Sequence, residues 1–237
     1  NCDMPENPME IIVVFNHSEI VDEVKKEDNH RFFLQAKEFT KEKNLKHKVL
    51  FIEAFDLPKK IAGVGLARKI GMDEVASRLG KNTEGIIVAL DADCTVAPNY
   101  LVSIEKHFAR LPETPGASIY FKHPLDFSDK KLQKGIIEYE LHLRYYNQLI
   151  KYTGHPFAFH TIGSSMAVRS WAYMKQGGMN KRKAGEDFYF YKKSCCLESL
   201  PRLIPPVFIH RHAFPIGCLL ELERHKATGL ANKKNSG

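Results

Sequence analysis

Long apolar runs are missing from this 237-residue chain, and with them any segment approaching the roughly 20 apolar residues that a membrane-crossing helix needs. No charged-then-apolar leader of the secretory kind opens it. Its five cysteines (Cys2, Cys94, Cys195, Cys196 and Cys218) are an odd number without a CxxC pair. That argues against a disulfide framework and against a cysteine zinc site, and it fits a reducing, cytoplasmic setting. No internal repeat, low-complexity tract or Gly-rich phosphate loop is present. What the chain does have is 43% hydrophobic and 27% charged residues, enough for a sizeable core in one domain spanning 1–237. A net charge of +7 favours an anionic partner. The basic residues are spread out in short clusters such as Lys130-Lys131 and Lys181-Arg182-Lys183. Without a basic arm or a nucleic-acid signature, nucleic acid is not the expected partner. Any membrane contact is expected to be peripheral, at the inner face, or carried by sequence outside this chain.

Glu10 to Phe15 is a β-branched run of the kind buried on both faces, which predicts a strand of a parallel sheet. Apolar residues at Phe32, Phe33, Ala36 and Phe39 predict a helix over 30–44, and Val49 to Glu53 a second strand. A helix follows over 62–79, with Gly80 as its C-terminal cap, and Gly85 to Leu90 is a third buried strand. This alternation predicts an α/β protein with a mostly parallel, doubly wound sheet flanked by helices. Further on, the pattern predicts a helix over 99–110, a strand over 117–121, a long aromatic-rich helix over 133–152 and a strand over 165–169. A helix is expected to start near Gly185, and Leu203 to His210 reads as an extended segment restricted by its two prolines to an edge or bend.

Two acidic pairs carry the chemistry. Asp91-Ala92-Asp93 directly follows the third strand, and open α/β sheets bind ligands at the carboxyl ends of their strands. Two carboxylates at i and i+2 suit a hard cation shared with a diphosphate, because Mg²⁺ takes one or two carboxylates and fills its shell with phosphate oxygens. A solvated acidic turn is the bland alternative. Glu186-Asp187 opens a helix, where acids are favoured by the dipole, but a carboxylate there can also take a proton from a hydroxyl.

The strand ending in Asp91-Ala92-Asp93 is preceded by Gly63, Ala67, Arg68 and Gly71, in a G-x-x-x-A-R-N-x-G-like pattern with Lys69 where Asn is usual. It is followed by Gly177-Gly178-Met179-Asn180 and then Gly185-Glu186-Asp187. This order, from Glu10 to about Gly217, resembles the motifs of family 2 glycosyltransferases. The resemblance implies a GT-A fold, with a nucleotide-sugar-binding half over 10–95, an acceptor and catalytic half over 96–220 and a tail over 221–237. It also implies an inverting transfer of a sugar from a nucleotide-sugar, a UDP-sugar favoured, to a glycan or lipid-linked acceptor hydroxyl in polysaccharide synthesis. The cofactor is Mn²⁺ or Mg²⁺. By the same resemblance Asp91 and Asp93 hold the metal and nucleotide-sugar, Asp187 is the catalytic base with Glu186 in support, and Arg68 reaches the nucleotide. His210, with His212 beside it, follows the last strand where some members place a further metal ligand.

Glu10 to Ser18 resembles the family's second strand, so Asn16 stands where an acid contacts the nucleotide base. Asn offers hydrogen bonds there but no charge. On that alignment the natural protein is expected to continue upstream, leaving Glu10 to Phe15 with an unpaired flank or one covered by Asn1 to Met9 or by a neighbouring chain. A module that binds nucleotide or glycan without turnover is the alternative function. The aromatics of 133–152 suit either core packing or a sugar ring.

Overall fold

The computed structural model describes residues 2–43, 45, 47–125, 128–155, 157–180, 185–195 and 209–211, with 193–195 and 209–211 described for their backbone alone. The predicted segment 203–208, His212, Cys196, Cys218 and the tail 221–237 lie outside the described residues.

The chain is α/β. It opens with a strand–helix–strand unit, β1 (Glu10–Ser18), α1 (Glu23–Glu42) and β2 (Lys48–Leu57), whose strands pair in parallel from Glu10↔Lys48 to Asn16↔Ala54. The side chain of Asp22 starts α1 by accepting the Lys25 N–H at 3.0 Å, satisfying one of the donors that a helix start leaves free. Phe33 of α1 packs edge-on against Phe15 and Phe51, which fixes the helix on the sheet. Next come α2 (Val64–Leu79), β3 (Ile86–Ala89), β4 (Cys94–Val96), α3 (Tyr100–Arg110), β5 (Gly116–Ser118) and β6 (Phe121–Lys122). The chain continues through α4 (Lys130–Tyr152), β7 (Met166–Arg169), α5 (Ser170–Lys175), α6 (Glu186–Cys195) and β8 (Ile209–Arg211). Gly80 ends α2 as expected: at φ +55° it donates its N–H to the Ala76 carbonyl, a left-handed position that suits glycine.

The single, mostly parallel sheet expected from the alternation is not what the described residues form. Among the described residues there are three small sheets, ordered β1-β2, β3-β7-β5 and β4-β8-β6, and of their pairings β1–β2 and β6–β8 are parallel. The difference has a clear origin. β3 and β5 both run antiparallel to β7 and therefore parallel to one another, with α3 between them in the chain, but β7 is inserted in the gap. Among the described residues β1 pairs with β2 alone. Residues 2–7 do not cover its other flank but dock near α3: Asp3 N–H reaches the Pro98 carbonyl at 2.7 Å, and the Glu6 and Asn7 N–H groups reach the Glu105 carboxylate at 3.0 and 2.8 Å.

Alternating residues of the central sheet feed two apolar layers, as a pleated strand requires. Ile87, Ala89, Met166 and Val168 pack with Met72 of α2, Tyr173 of α5 and Phe190 and Tyr191 of α6. Ala117 and Ala167, with Ile86 and Val88, pack with Tyr100, Ile104 and Phe108 of α3 and Leu143 of α4. The sheet is thus sandwiched between α2, α5 and α6 on one side and α3 and α4 on the other.

Beneath α4 lies a polar network. Glu140 accepts the His123 backbone N–H at 2.5 Å and contacts its ring Nδ1 at 2.8 Å. Arg144 donates to the Phe121 carbonyl and lies 3.3 Å from the His160 Nε2. Because a guanidinium can only donate, that nitrogen is the acceptor and His160 is neutral. Burial, with the charge of Arg144 second, pulls its pKa down to about 4. In the unfolded chain the ring titrates near its ordinary value, so between pH ~6.5 and 4 the unfolded state binds the extra proton. Stability should therefore fall as pH drops through this window. Urea midpoints at pH 7 and 4.5 should separate less in His160→Gln, which keeps an acceptor for Arg144 and cannot be protonated, than in the wild type.

Candidate functional site

Asp91 and Asp93 sit in the turn between β3 and β4, closed by the Cys94 N–H on the Asp91 carbonyl at 3.1 Å. Asp91 is half-buried and Asp93 exposed. The other acidic pair is brought in by a glycine turn. Gly177 and Gly178 lie at φ +82° and +77°, a region where a side chain is strained. A Cβ on Gly178 would also press on Asp73, Tyr173 and Lys69. The turn sends the chain back so that Met179 is buried and the Asn180 amide donates to the Glu186 carbonyl at 2.9 Å. This pins the first turn of α6, which Gly185 enters at φ +68°. Glu186 then faces inward. Asp187, half-buried, accepts the Phe188 N–H at 2.7 Å on one carboxylate oxygen.

Arg68 of α2 joins the two pairs. Its side chain is 7% exposed; Nη1 donates to the Glu186 carboxylate and Nη2 to Asp91 Oδ1 at 2.9 Å. In sequence it is 23 residues from Asp91 and 118 from Glu186. Gly163 makes this possible, because a Cβ there would overlap the guanidinium. Glu186 is almost fully enclosed, and burial raises its pKa above the ordinary value, with the neighbouring Asp187 adding to the rise and Arg68 opposing it. Removing a carboxylate from water is costly unless a cation and hydrogen bonds replace the lost hydration. Arg68 and a hydrogen bond from Glu186's own peptide N–H fill that role.

Of the residues singled out in the sequence, Arg68, Asp91 and Glu186 are in direct contact, with Asp93 and Asp187 as their chain neighbours. Asn16 sits near the carboxyl end of β1 opposite Ala54, with its carbonyl taken by the Asn29 amide at 3.0 Å. The next residue, His17, borders a surface depression of about 530 Å³ that is also lined by His30, Arg31 and Phe55. His210 pairs in register with Thr95, so its backbone runs beside the strand that begins immediately after Asp93. No group of three or more metal-capable side chains occurs among the described residues. The donor set at the turn is therefore two carboxylates, with one oxygen of Asp91 already held by Arg68. This fits a cation completed by phosphate oxygens and water better than one caged by protein.

Three supporting residues escaped sequence reasoning: Gly163, Asn180 as the pin for Glu186, and Asp73. The Asp73 carboxylate links Lys69 at 2.8 Å with the Tyr173 hydroxyl at 2.6 Å and ties α2 to α5 beneath the glycine turn. The i,i+4 spacing of Lys69 and Asp73 was the visible signal for the last of these. Gly163 and Asn180 carried no local one.

The chain matches no known family model and no curated protein.

Proposed function

We propose that this protein is a metal-dependent, inverting glycosyltransferase of GT-A type that moves a sugar from a nucleotide-sugar, preferentially a UDP-sugar, to a glycan or lipid-linked hydroxyl. The observation that carries the reading is the Arg68 bridge, which gathers the acids after β3 and the acids opening α6 into one site although they are far apart in sequence. A lone acidic turn or a lone helix cap gives no reason for that convergence.

In this reading Asp91 and Asp93 hold Mn²⁺ or Mg²⁺, which when bound supplies the positive charge that stabilises a departing diphosphate. Asp187 takes the proton of the acceptor hydroxyl as its oxygen bonds to the anomeric carbon and the bond from that carbon to the diphosphate breaks. One carboxylate oxygen of Asp187 is held by the Phe188 N–H, which orients the other. Glu186, enclosed and paired with Arg68, is a positioning residue: it fixes the start of α6 and hence the base. Asn16 stands near a strand's carboxyl end, which suits its side chain to a nucleobase edge.

Calorimetric titration with UDP, with and without Mn²⁺, and release of UDP from a panel of UDP-sugars test the reading. Mn²⁺-dependent binding with release on adding an acceptor is the expected result. Binding without release from any donor would favour a non-catalytic nucleotide-binding module, and no Mn²⁺-dependent binding of any nucleoside diphosphate would overturn both.

A further inference from the structure

The outer face of α4 has no use in the site just described, and its composition is unusual for a solvated surface. Ile137, Leu141, Tyr145, Tyr146, Leu149 and Tyr152 all project outward; Leu141 is 63%, Tyr145 65% and Tyr152 91% exposed. They recur at helical spacing over about 22 Å of helix axis, at 1.5 Å per residue. The inner face is engaged by Ile136, Leu143, Glu140 and Arg144. A helix apolar on both faces is normally buried on both, and an exposed apolar strip of this length marks a contact surface.

The charges around the strip indicate what covers it. Lys130, Lys131 and Lys134 stand at one end of α4 and Lys151 at the other. Within α4 the one acid facing outward is Glu138, 3.8 Å from Lys134, because Glu140 is turned in toward His123, while Asp129 caps the helix start with its carboxylate on the Lys131 and Leu132 N–H groups. Lys151 shares a shallow depression of about 420 Å³ with Tyr145, Leu149 and Tyr152. The chain as a whole carries +7. Tyrosines and leucines between lysines form the pattern of a helix lying in a membrane interface: rings at headgroup depth, ammonium groups on the phosphates. Among the described residues no helix is long and apolar enough to cross a bilayer, so α4 lies on the surface.

We propose that the outer face of α4 docks the protein onto an anionic phospholipid surface. The loop leaving α4 reaches the acidic site, since it carries Phe157 to the ring of Phe188, the residue after Asp187, with ring centroids 6.5 Å apart. The docking itself does not depend on the transfer reaction and is tested without it.

The test is co-sedimentation of the full chain with vesicles of phosphatidylcholine alone and of equimolar phosphatidylcholine and phosphatidylglycerol, at low and high salt. Binding is expected to the anionic vesicles only and to weaken with salt. Leu141→Glu with Tyr145→Glu should lower the partition coefficient more than about tenfold, by placing charge in the apolar strip. Lys130→Gln with Lys131→Gln leaves the packing untouched and should cost about fivefold per lysine near the surface. Equal binding to both vesicle types, or unchanged binding by both variants, overturns the proposal. So does absence of binding, and if the wild type then elutes as a dimer that Leu141→Glu dissociates, the face belongs to a second copy of the chain.

Discussion

Replacing Arg68 with methionine is expected to cost about 3–5 kcal/mol of stability, the usual consequence of stripping one partner from a buried ion pair. The reason is local: Glu186 is 4% exposed and Arg68 is the cation on its carboxylate. The loss should depend on pH in a definite sense. Burial already raises the Glu186 pKa, and Arg68 is one of the influences opposing that rise, so without the arginine it rises further. Above the unfolded value the folded variant must then either hold a proton or bury a naked charge. Its deficit against wild type therefore grows as pH rises past the already raised pKa of Glu186 in the folded wild type and shrinks toward acid. Adding Glu186→Gln removes the orphaned charge and should recover most of the stability; on the proposed reading, both Arg68 variants should lack Mn²⁺-dependent nucleotide binding, because Asp91 has lost its orienting partner. Gly163→Ala should act in the same direction with a smaller effect, by pushing the guanidinium off its seat. Urea unfolding of the four proteins at pH 5 and pH 8 tests this; a pH-independent deficit would mean that Glu186 is not the group left exposed to the penalty.

On the proposed glycosyltransferase reading, Asp187→Asn is expected to leave Mn²⁺-dependent UDP binding within about twofold of wild type while lowering sugar transfer roughly 10²–10⁴-fold, the range for removing a general base. Asp93→Ala should show the opposite profile, losing the Mn²⁺-dependent part of binding first, because a metal ligand acts on the ground state as well as the transition state. Geometry separates the two α6 acids in the same way. Glu186 is enclosed and engaged, so it cannot meet an incoming hydroxyl, whereas Asp187 keeps part of its surface open. If Glu186→Gln, and not Asp187→Asn, abolished transfer with binding intact, the roles would be reversed. If Asp187→Asn weakened UDP binding as much as Asp93→Ala, Asp187 would belong with the metal.

The elements most legible in the sequence were those whose burial writes a period into it. β1, β2, β3 and α2 lie close to where their apolar runs put them, and Gly80 caps α2 as its position suggested. α1 starts earlier than the expected 30, because Glu23, Lys25, Lys26, Glu27 and Asp28 in its first turns carry no apolar stripe; Asp22 and its cap hydrogen bond were the available signal. The three-residue β4 and six-residue α5 were too short to show a period. Sheet order was not legible at all. That β7 enters between β3 and β5 is decided by packing between residues far apart in the chain, and no local pattern records it. The same holds within the site. The acids stand out through their neighbours in sequence, but the link between them rests on the side chain of Arg68 reaching past a bare Gly163, and nothing in the neighbouring residues marks that glycine as a seat.

The insertion of β7 also sets an order of assembly. β1, α1 and β2 close through contacts within residues 10–57, a short loop by the standards of chain entropy, so this unit can form before the segments that follow it are in place. The central sheet cannot. β3 and β5 leave a slot one strand wide, filled only once Met166 to Arg169 has emerged, some 80 positions after the strand it zips against at Ile86↔Arg169. Until then the apolar faces of Ile87 and Ala89 have no partner strand, and the α2 side of the molecule waits on a segment still to be synthesised. Pairing of this long range is slow and leaves strand edges exposed in the interval, so the last strand of the core to arrive is also the one on which both apolar layers depend.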